Sequence, residues 1–167
     1  MNEVFARPFV SVIAIDSEGD QKKILLQRRT KSATQNKYYG LWELPQGKIR
    51  AGETIFEAAR REVKEESGLE VLDIDPFHRM TKSTDLEDIQ SFVPLTCVSD
   101  KSNQCIGLPL IVMTKGVPQA TQEASDHSWM SRDQVLSLIL GKKVFPLNVP
   151  MLEEFFRFTL SKSFEIA

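Results

Sequence analysis

The chain has 167 residues, 41% of them apolar and 26% charged, with a net charge of −2. That length suits one domain, residues 1–167, with a real core, and the charge argues against a broad basic surface for double-stranded nucleic acid. No stretch approaches transmembrane length, and Met1 to Arg7 lacks the basic and apolar blocks of a secretion signal. The expectation is a cytoplasmic, reduced protein with no membrane partner. Cys97 and Cys105 have no metal-type spacing and read as free buried thiols, a pairing across a hairpin being the alternative.

Phe9 to Ile15 is a nearly continuous apolar, β-branched run and reads as a buried strand. A turn over Asp16 to Asp20 leads to a returning strand, Lys23 to Gln27. Thr30 to Lys37 is polar and loop-like. Tyr38 to Pro45 is aromatic-rich, and a strand ending at Pro45 fits it. Gln46 to Gly52 reads as a loop. Thr54 and Glu57 form a capping box that starts a helix near Ile55, and Gly68 fits its C-terminal stop. Leu69 to Ile74 alternates as a strand. Met80 to Gln90 reads as a loop or short edge segment. Phe92 to Val98 and Ile106 to Met113 read as a second hairpin. Lys115 to Ser128 is irregular by composition, with a short last strand over His127 to Met130. Ser131 and Gln134 cap a helix running to about Leu140. Pro150 opens a last helix on which Leu152, Phe155, Phe156 and Leu160 recur at helical spacing. The fold class is α/β (α+β), a mixed sheet covered by helices.

The helix after Thr54 carries its charges on the wrong face. With Glu62 at zero on a 3.6-residue wheel, Ile55, Ala59 and Val63 fall at about 20°, 60° and 100°. On the same wheel Glu66 falls at about 40° and Glu65 at about −60°. Three carboxylates therefore share an arc with the apolar stripe. Glu62 and Glu66 are also a like-charge i,i+4 pair near the helix C-terminus, where the dipole disfavours anions. A multivalent cation in front of this face accounts for all three features, and oxygen-only ligands suit Mg²⁺ or Mn²⁺.

The stretch Gly47 to Leu69 has Gly47, Glu53, Arg61-Glu62, Val63, Glu65-Glu66, Gly68 and Leu69 at fixed spacing. It resembles the Nudix box at every specified position. Its seven fixed residues, at typical usages of about 7%, coincide by accident about once in 10⁸ starts. The Leu41 to Lys48 lead-in is similar to that of MutT-like members. Glu123 and Trp129 resemble a downstream acidic residue and a Trp before the penultimate helix. The resemblance implies a Nudix-type α/β/α sandwich with a central mixed sheet. It implies Mg²⁺- or Mn²⁺-dependent hydrolysis of a nucleoside diphosphate linked to another moiety (an NTP or dNTP, a nucleotide sugar or a dinucleoside polyphosphate). The partner is then a small-molecule nucleotide, and a homodimer is consistent with the family.

A pyrophosphate is polyanionic, so three glutamates hold it only through metal ions, which also acidify a bound water. Glu62 and Glu66 lie one turn apart and reach one ion; Glu65 reaches a second or bridges. The family's carbonyl ligand before the box glycine maps onto Gln46. Arg61 reaches Glu53 or Glu57, and in the family it orients the catalytic glutamates through Glu53. The general base is a box glutamate, Glu62 or Glu65, or an acid on a late loop, Glu123 with Asp126 close behind. Lys48 and the pair Arg28 and Arg29 are candidate phosphate contacts, and Tyr38, Tyr39 and Trp42 a candidate aromatic wall for a base or ring, with packing for the aromatics and a solvated strand end for the arginines as the competing readings. His78 and His127 read as structural or surface residues. The main alternative is a Nudix-like module that binds nucleotide without cleaving it; an isopentenyl diphosphate isomerase would need a cysteine and glutamate pair and a different box region. The lead-in leans to nucleoside triphosphates, and Pro45-Gln46-Gly47 leans to capped RNA or dinucleoside polyphosphates.

Overall fold

The computed structural model describes residues 5–19, 23–30, 37–74, 80–82, 90–122 and 124–163. Strands β1 (Arg7–Asp16), β2 (Lys23–Arg29), β3 (Trp42–Glu43) and β4 (Gln46–Lys48) precede helix α1 (Ile55–Ser67). Strands β5 (Glu70–Ile74), β6 (Met80–Lys82), β7 (Gln90–Phe92), β8 (Val98–Asp100), β9 (Cys105–Lys115) and β10 (Ala124–Ser131) follow, then helices α2 (Arg132–Leu140) and α3 (Val149–Ser163). The main sheet runs β10-β2-β1-β9-β5, with β3 on β2, β4 on β1 and β8 on β9. The long β1–β9 pair is parallel and the other pairings are antiparallel, so the sheet is mixed. Strands β6 and β7 form a separate two-stranded sheet.

The apolar run in β1 is continuous because both its faces are covered. Phe9, Ile13 and Ile15 join a core with Leu26, Val135, Met151, Leu152, Phe155 and Phe156, on the side of α2 and α3. Val10, Val12 and Ala14 join a second core with Leu25, Phe56, Ala59 and Val63, on the side of α1. The α/β/α sandwich thus follows from period-two alternation along one strand.

Three expectations change. Gln46 to Lys48, expected as loop, is a strand: Ser11, Val10 and Phe9 pair with Gln46, Gly47 and Lys48, and the neighbouring Val12 amide donates to the Pro45 carbonyl at 2.8 Å. The apolar run expected as a strand over Phe92 to Val98 is broken around Pro94, which has no N–H for a ladder. The hairpin partner of β9 is only Val98–Asp100. The segment expected to be irregular is ordered at both ends, because β9 runs to Lys115 and β10 starts at Ala124 with a bulge between Ser125 and Ser128. Both capping boxes form as expected. Cys97 and Cys105 are free, Cys97 being exposed and Cys105 half-buried, with burial pushing the Cys105 thiol pKa up. Among the described residues no helix is long and apolar enough to cross a membrane.

Candidate functional site

Helix α1 is fixed at both ends before its carboxylates matter. The Thr54 hydroxyl accepts from the Glu57 amide and the Glu57 carboxylate accepts from the Thr54 amide. Gly68 ends the helix in the left-handed region at φ 73°, where a Cβ would be strained, and its N–H donates to the Lys64 carbonyl. Between these ends the helix turns Glu62 and Glu66 inward. Glu62 is 5% exposed and Glu66 is 0% exposed. The Glu65 side chain keeps 38% of its surface. Buried carboxylates are rare without partners, and each of these has them.

Glu66 lies beneath the sheet. Its Oε2 accepts from Gln27 Nε2 at 2.7 Å and from the Gln46 backbone N–H at 2.9 Å. Its own carbonyl meets His127 Nε2 at 2.8 Å, which ties β10 to the end of α1. Burial lowers the His127 pKa, so this contact suits a neutral ring. His127 is therefore structural, as expected; His78 lies outside the described residues.

Glu62 lies against the backbone of Gly47. A Cβ on Gly47 would sit 1.9 Å from Glu62 Oε1 and 2.1 Å from its Cδ. Only glycine leaves that carboxylate its place. Arg61 braces the arrangement. Its guanidinium donates to both Glu53 oxygens, to Glu62, to Glu65 at 3.1 Å and to the Lys48 carbonyl at 3.0 Å. Arg50 adds its backbone N–H to Glu53 and its side chain to Glu65 at 3.4 Å. Arg61 thus binds Glu53 and not Glu57, which belongs to the cap.

The Glu53 pKa falls from 4.5 to about 2, chiefly because Arg61 donates to its carboxylate. The same contact raises the Arg61 pKa. A depressed carboxylate pKa gives stability that is complete above about pH 4.5 and is lost as pH falls toward 2. The melting temperature of the wild type is therefore expected to fall more between pH 4.5 and 2 than that of Glu53→Gln, read by circular dichroism; parallel curves would exclude this pair as an acid-labile brace.

A cavity of about 920 Å³ opens in front of the helix. Gln46, Gly47, Lys48, Glu62 and Glu65 line it, together with Arg7, Arg29, Lys37, Tyr38 and Phe145. The sequence-derived candidates divide here. Glu62, Glu65, Gln46 and Lys48 face the cavity. Glu66, Glu53 and Arg61 stand behind its wall, holding what faces it. Trp42 and Arg28 do not line it: Arg28 stacks 4.2 Å over the Trp42 ring and donates to the Gly40 carbonyl. Glu123 lies outside the described residues, and Asp126 is exposed on the β10 bulge.

Of the adjacent Arg28 and Arg29, Arg29 is the one that lines the cavity. It stacks 4.6 Å over Phe145 and pairs with the buried Glu43. Alternation separates the two arginines, since Arg28 pairs with Trp42 and Gln27 with Glu43 across β2 and β3. That signal exists in the sequence once β3 is placed. Phe145 and Arg7 had no such signal, because they arrive from distant segments, whereas Tyr38 comes from the aromatic-rich stretch before Pro45. Phe145 is held there by its amide, which donates to the Trp42 carbonyl at 2.8 Å.

Among the described residues, no three His, Cys, Asp or Glu side chains are grouped to hold a metal ion. Arg61 lies between Glu62 and Glu65 instead. The donor chemistry nevertheless fits a divalent cation. Glu53, Glu62, Glu65 and Glu66 bring four negative charges, and Arg50 and Arg61 bring two positive, which leaves two negative charges on oxygen donors. The niche at Gly47 keeps one of those carboxylates at the cavity wall.

The chain and its fold are similar to those of known proteins. The chain is 41% identical over 58 residues to putative nudix hydrolase 1 of Caenorhabditis elegans, covering 35% of this chain and 15% of that protein. It is 39% identical over 66 residues to the ADP-ribose pyrophosphatase of Methanocaldococcus jannaschii, covering 40% of this chain and 36% of that one. These matches span well under half the length of either relative. The fold matches the NUDIX domain of Shewanella oneidensis NrtR complexed with ADP ribose, with a TM-score of 0.66 at 17% identity over 95% of this chain and 90% of that one. The family model for the NUDIX domain matches residues 7–155, and the chain belongs to the NUDIX family.

Proposed function

We propose that the chain is a divalent-metal-dependent hydrolase that cleaves a nucleoside diphosphate linked to another moiety. The observation that carries this reading is Glu62, buried over Gly47 at the wall of a cavity that also presents Glu65, Lys48, Arg29 and the Tyr38–Phe145 aromatic pair. Carboxylates, cations and rings lining one cavity suit a pyrophosphate with a flat or ring-shaped group attached.

Glu62, Glu65, Glu66 and the Gln46 carbonyl are the donors we assign to Mg²⁺ or Mn²⁺. The bound ion supplies charge neutralisation at the phosphates and an acidified water. Arg61 keeps Glu53 and the Lys48 carbonyl while yielding its contacts on Glu62 and Glu65. Lys48 and Arg29 bind phosphate oxygens, Arg29 pre-oriented by Glu43 and Phe145. Phe145 and Tyr38, set edge to face at 5.1 Å, shape the apolar wall for a ring. Glu65, the most exposed of the four box carboxylates, takes the proton from the attacking water. The named activity of the Methanocaldococcus jannaschii relative and the ligand of the NrtR domain both support ADP-ribose as the first substrate to try.

The test is a panel of ADP-ribose and other nucleotide sugars, dinucleoside polyphosphates and NTPs, each with Mg²⁺ or Mn²⁺. At least one is expected to give a nucleoside monophosphate and a phosphorylated remainder. A folded protein that turns over none of them, yet binds one, would assign the binding module instead.

A further inference from the structure

We propose that Gln27 is a positioning residue for Glu66, and that its side-chain amide sets how tightly the box glutamates hold a divalent cation. This rests on the reading of the site given above.

Gln27 lies where sheet physics asks for an apolar residue. On β2 it shares a face with Leu25, which packs in the core beneath α1 with Val10, Val12 and Val63. It is fully buried. Its Nε2 donates to Glu66 Oε2 at 2.7 Å, while its Oε1 has no hydrogen-bond partner among the described residues. Burying an amide oxygen unpaired costs free energy. A leucine or methionine would fill this place without that cost. The half of the amide that is used is the half directed at a box carboxylate.

The surrounding contacts show what the amide adds. Glu66 Oε2 also takes the Gln46 N–H, so β2 and β4 grip one oxygen from two strands. Gln46 is itself fixed: its Oε1 accepts from the Ser11 hydroxyl and from Asn148 Nδ2, both at 2.9 Å, and its Nε2 donates to Glu43 at 3.1 Å. Gln46 thus anchors one side of Glu66 to β1 and to the segment before α3, and Gln27 supplies the other side. Hydrogen bonds of this kind orient a metal ligand and tune its hold on the ion.

The experiment is a Mn²⁺ titration of the full chain, followed by the electron paramagnetic resonance of free Mn²⁺, which reads binding without turnover. Gln27→Met keeps the volume and removes the donor. It is expected to weaken Mn²⁺ about 10- to 100-fold. Gln27→Asn keeps an amide but withdraws it by one methylene, and about a tenfold loss is expected. In a Glu66→Gln background Gln27→Met is expected to change Mn²⁺ affinity less than twofold, because the carboxylate it positions is gone. Affinity within twofold of wild type in Gln27→Met, or in Gln27→Asn if the first does not fold, overturns the proposal. So does an equal loss with and without Glu66. A folded wild type that binds no Mn²⁺ removes the metal-dependent reading as well, whereas wild-type binding with no Gln27 effect removes only this inference.

Discussion

Replacing Glu62 by glutamine is expected to lower kcat/KM about 10³-fold with Mg²⁺, equivalent to about 4 kcal/mol. The substitution keeps shape and burial but removes the charge that an ion would meet at the cavity wall. Glutamine still offers Arg61 an amide oxygen, and Arg61 retains Glu53, Glu65 and the Lys48 carbonyl, so the brace is expected to survive and the protein to fold. Steady-state kinetics on the best substrate of the panel, beside a melting curve, separates the two effects. Activity within tenfold of wild type would take Glu62 out of the metal site.

Gly47→Ala is expected to cost about 10²-fold in kcat/KM, although it replaces no ionisable group. The new methyl would stand 1.9 Å from Glu62 Oε1, so the carboxylate must leave its niche. Displacement of a reacting or ligating group by about 1 Å is worth losses of that size. The backbone is not the obstacle, because Gly47 pairs as an ordinary strand residue opposite Val10. Overpacking should lower stability by about 1–3 kcal/mol. A variant with a normal melting temperature and full activity would show that Glu62 works from another position.

The helix was readable because its rules are local. Thr54, Glu57 and Gly68 mark its ends within a few residues, and of the three misplaced carboxylates on its apolar arc the structure buries Glu62 and Glu66. The two-faced burial of β1 was readable for the same reason, since it shows as an unbroken apolar run. What stayed hidden depends on pairing between distant segments. Nothing near Gln46 announces that it joins β1, and nothing near Phe145 announces that the Trp42 carbonyl holds it at the cavity. Local sequence does not separate Arg28 from Arg29: one step along a strand exchanges the two faces, and β3 supplies the reference that tells them apart.

The parallel pairing of β1 with β9 has a temporal consequence. Its register joins Arg7 to Cys105 and Asp16 to Thr114, partners 98 positions apart (105 − 7). On a ribosome adding about 5–20 residues per second, the first strand waits about 5–20 s for its mate. During that interval Phe9 to Ile15 is an apolar, β-prone segment with an open edge, the type of sequence that seeds aggregation. The box helix can cap itself early, but Phe145 at the cavity and Asn148, which donates to Gln46 Oε1, emerge later still. The candidate site is thus completed late in biosynthesis, after the apolar first strand has stood unpaired on the side that β9 covers.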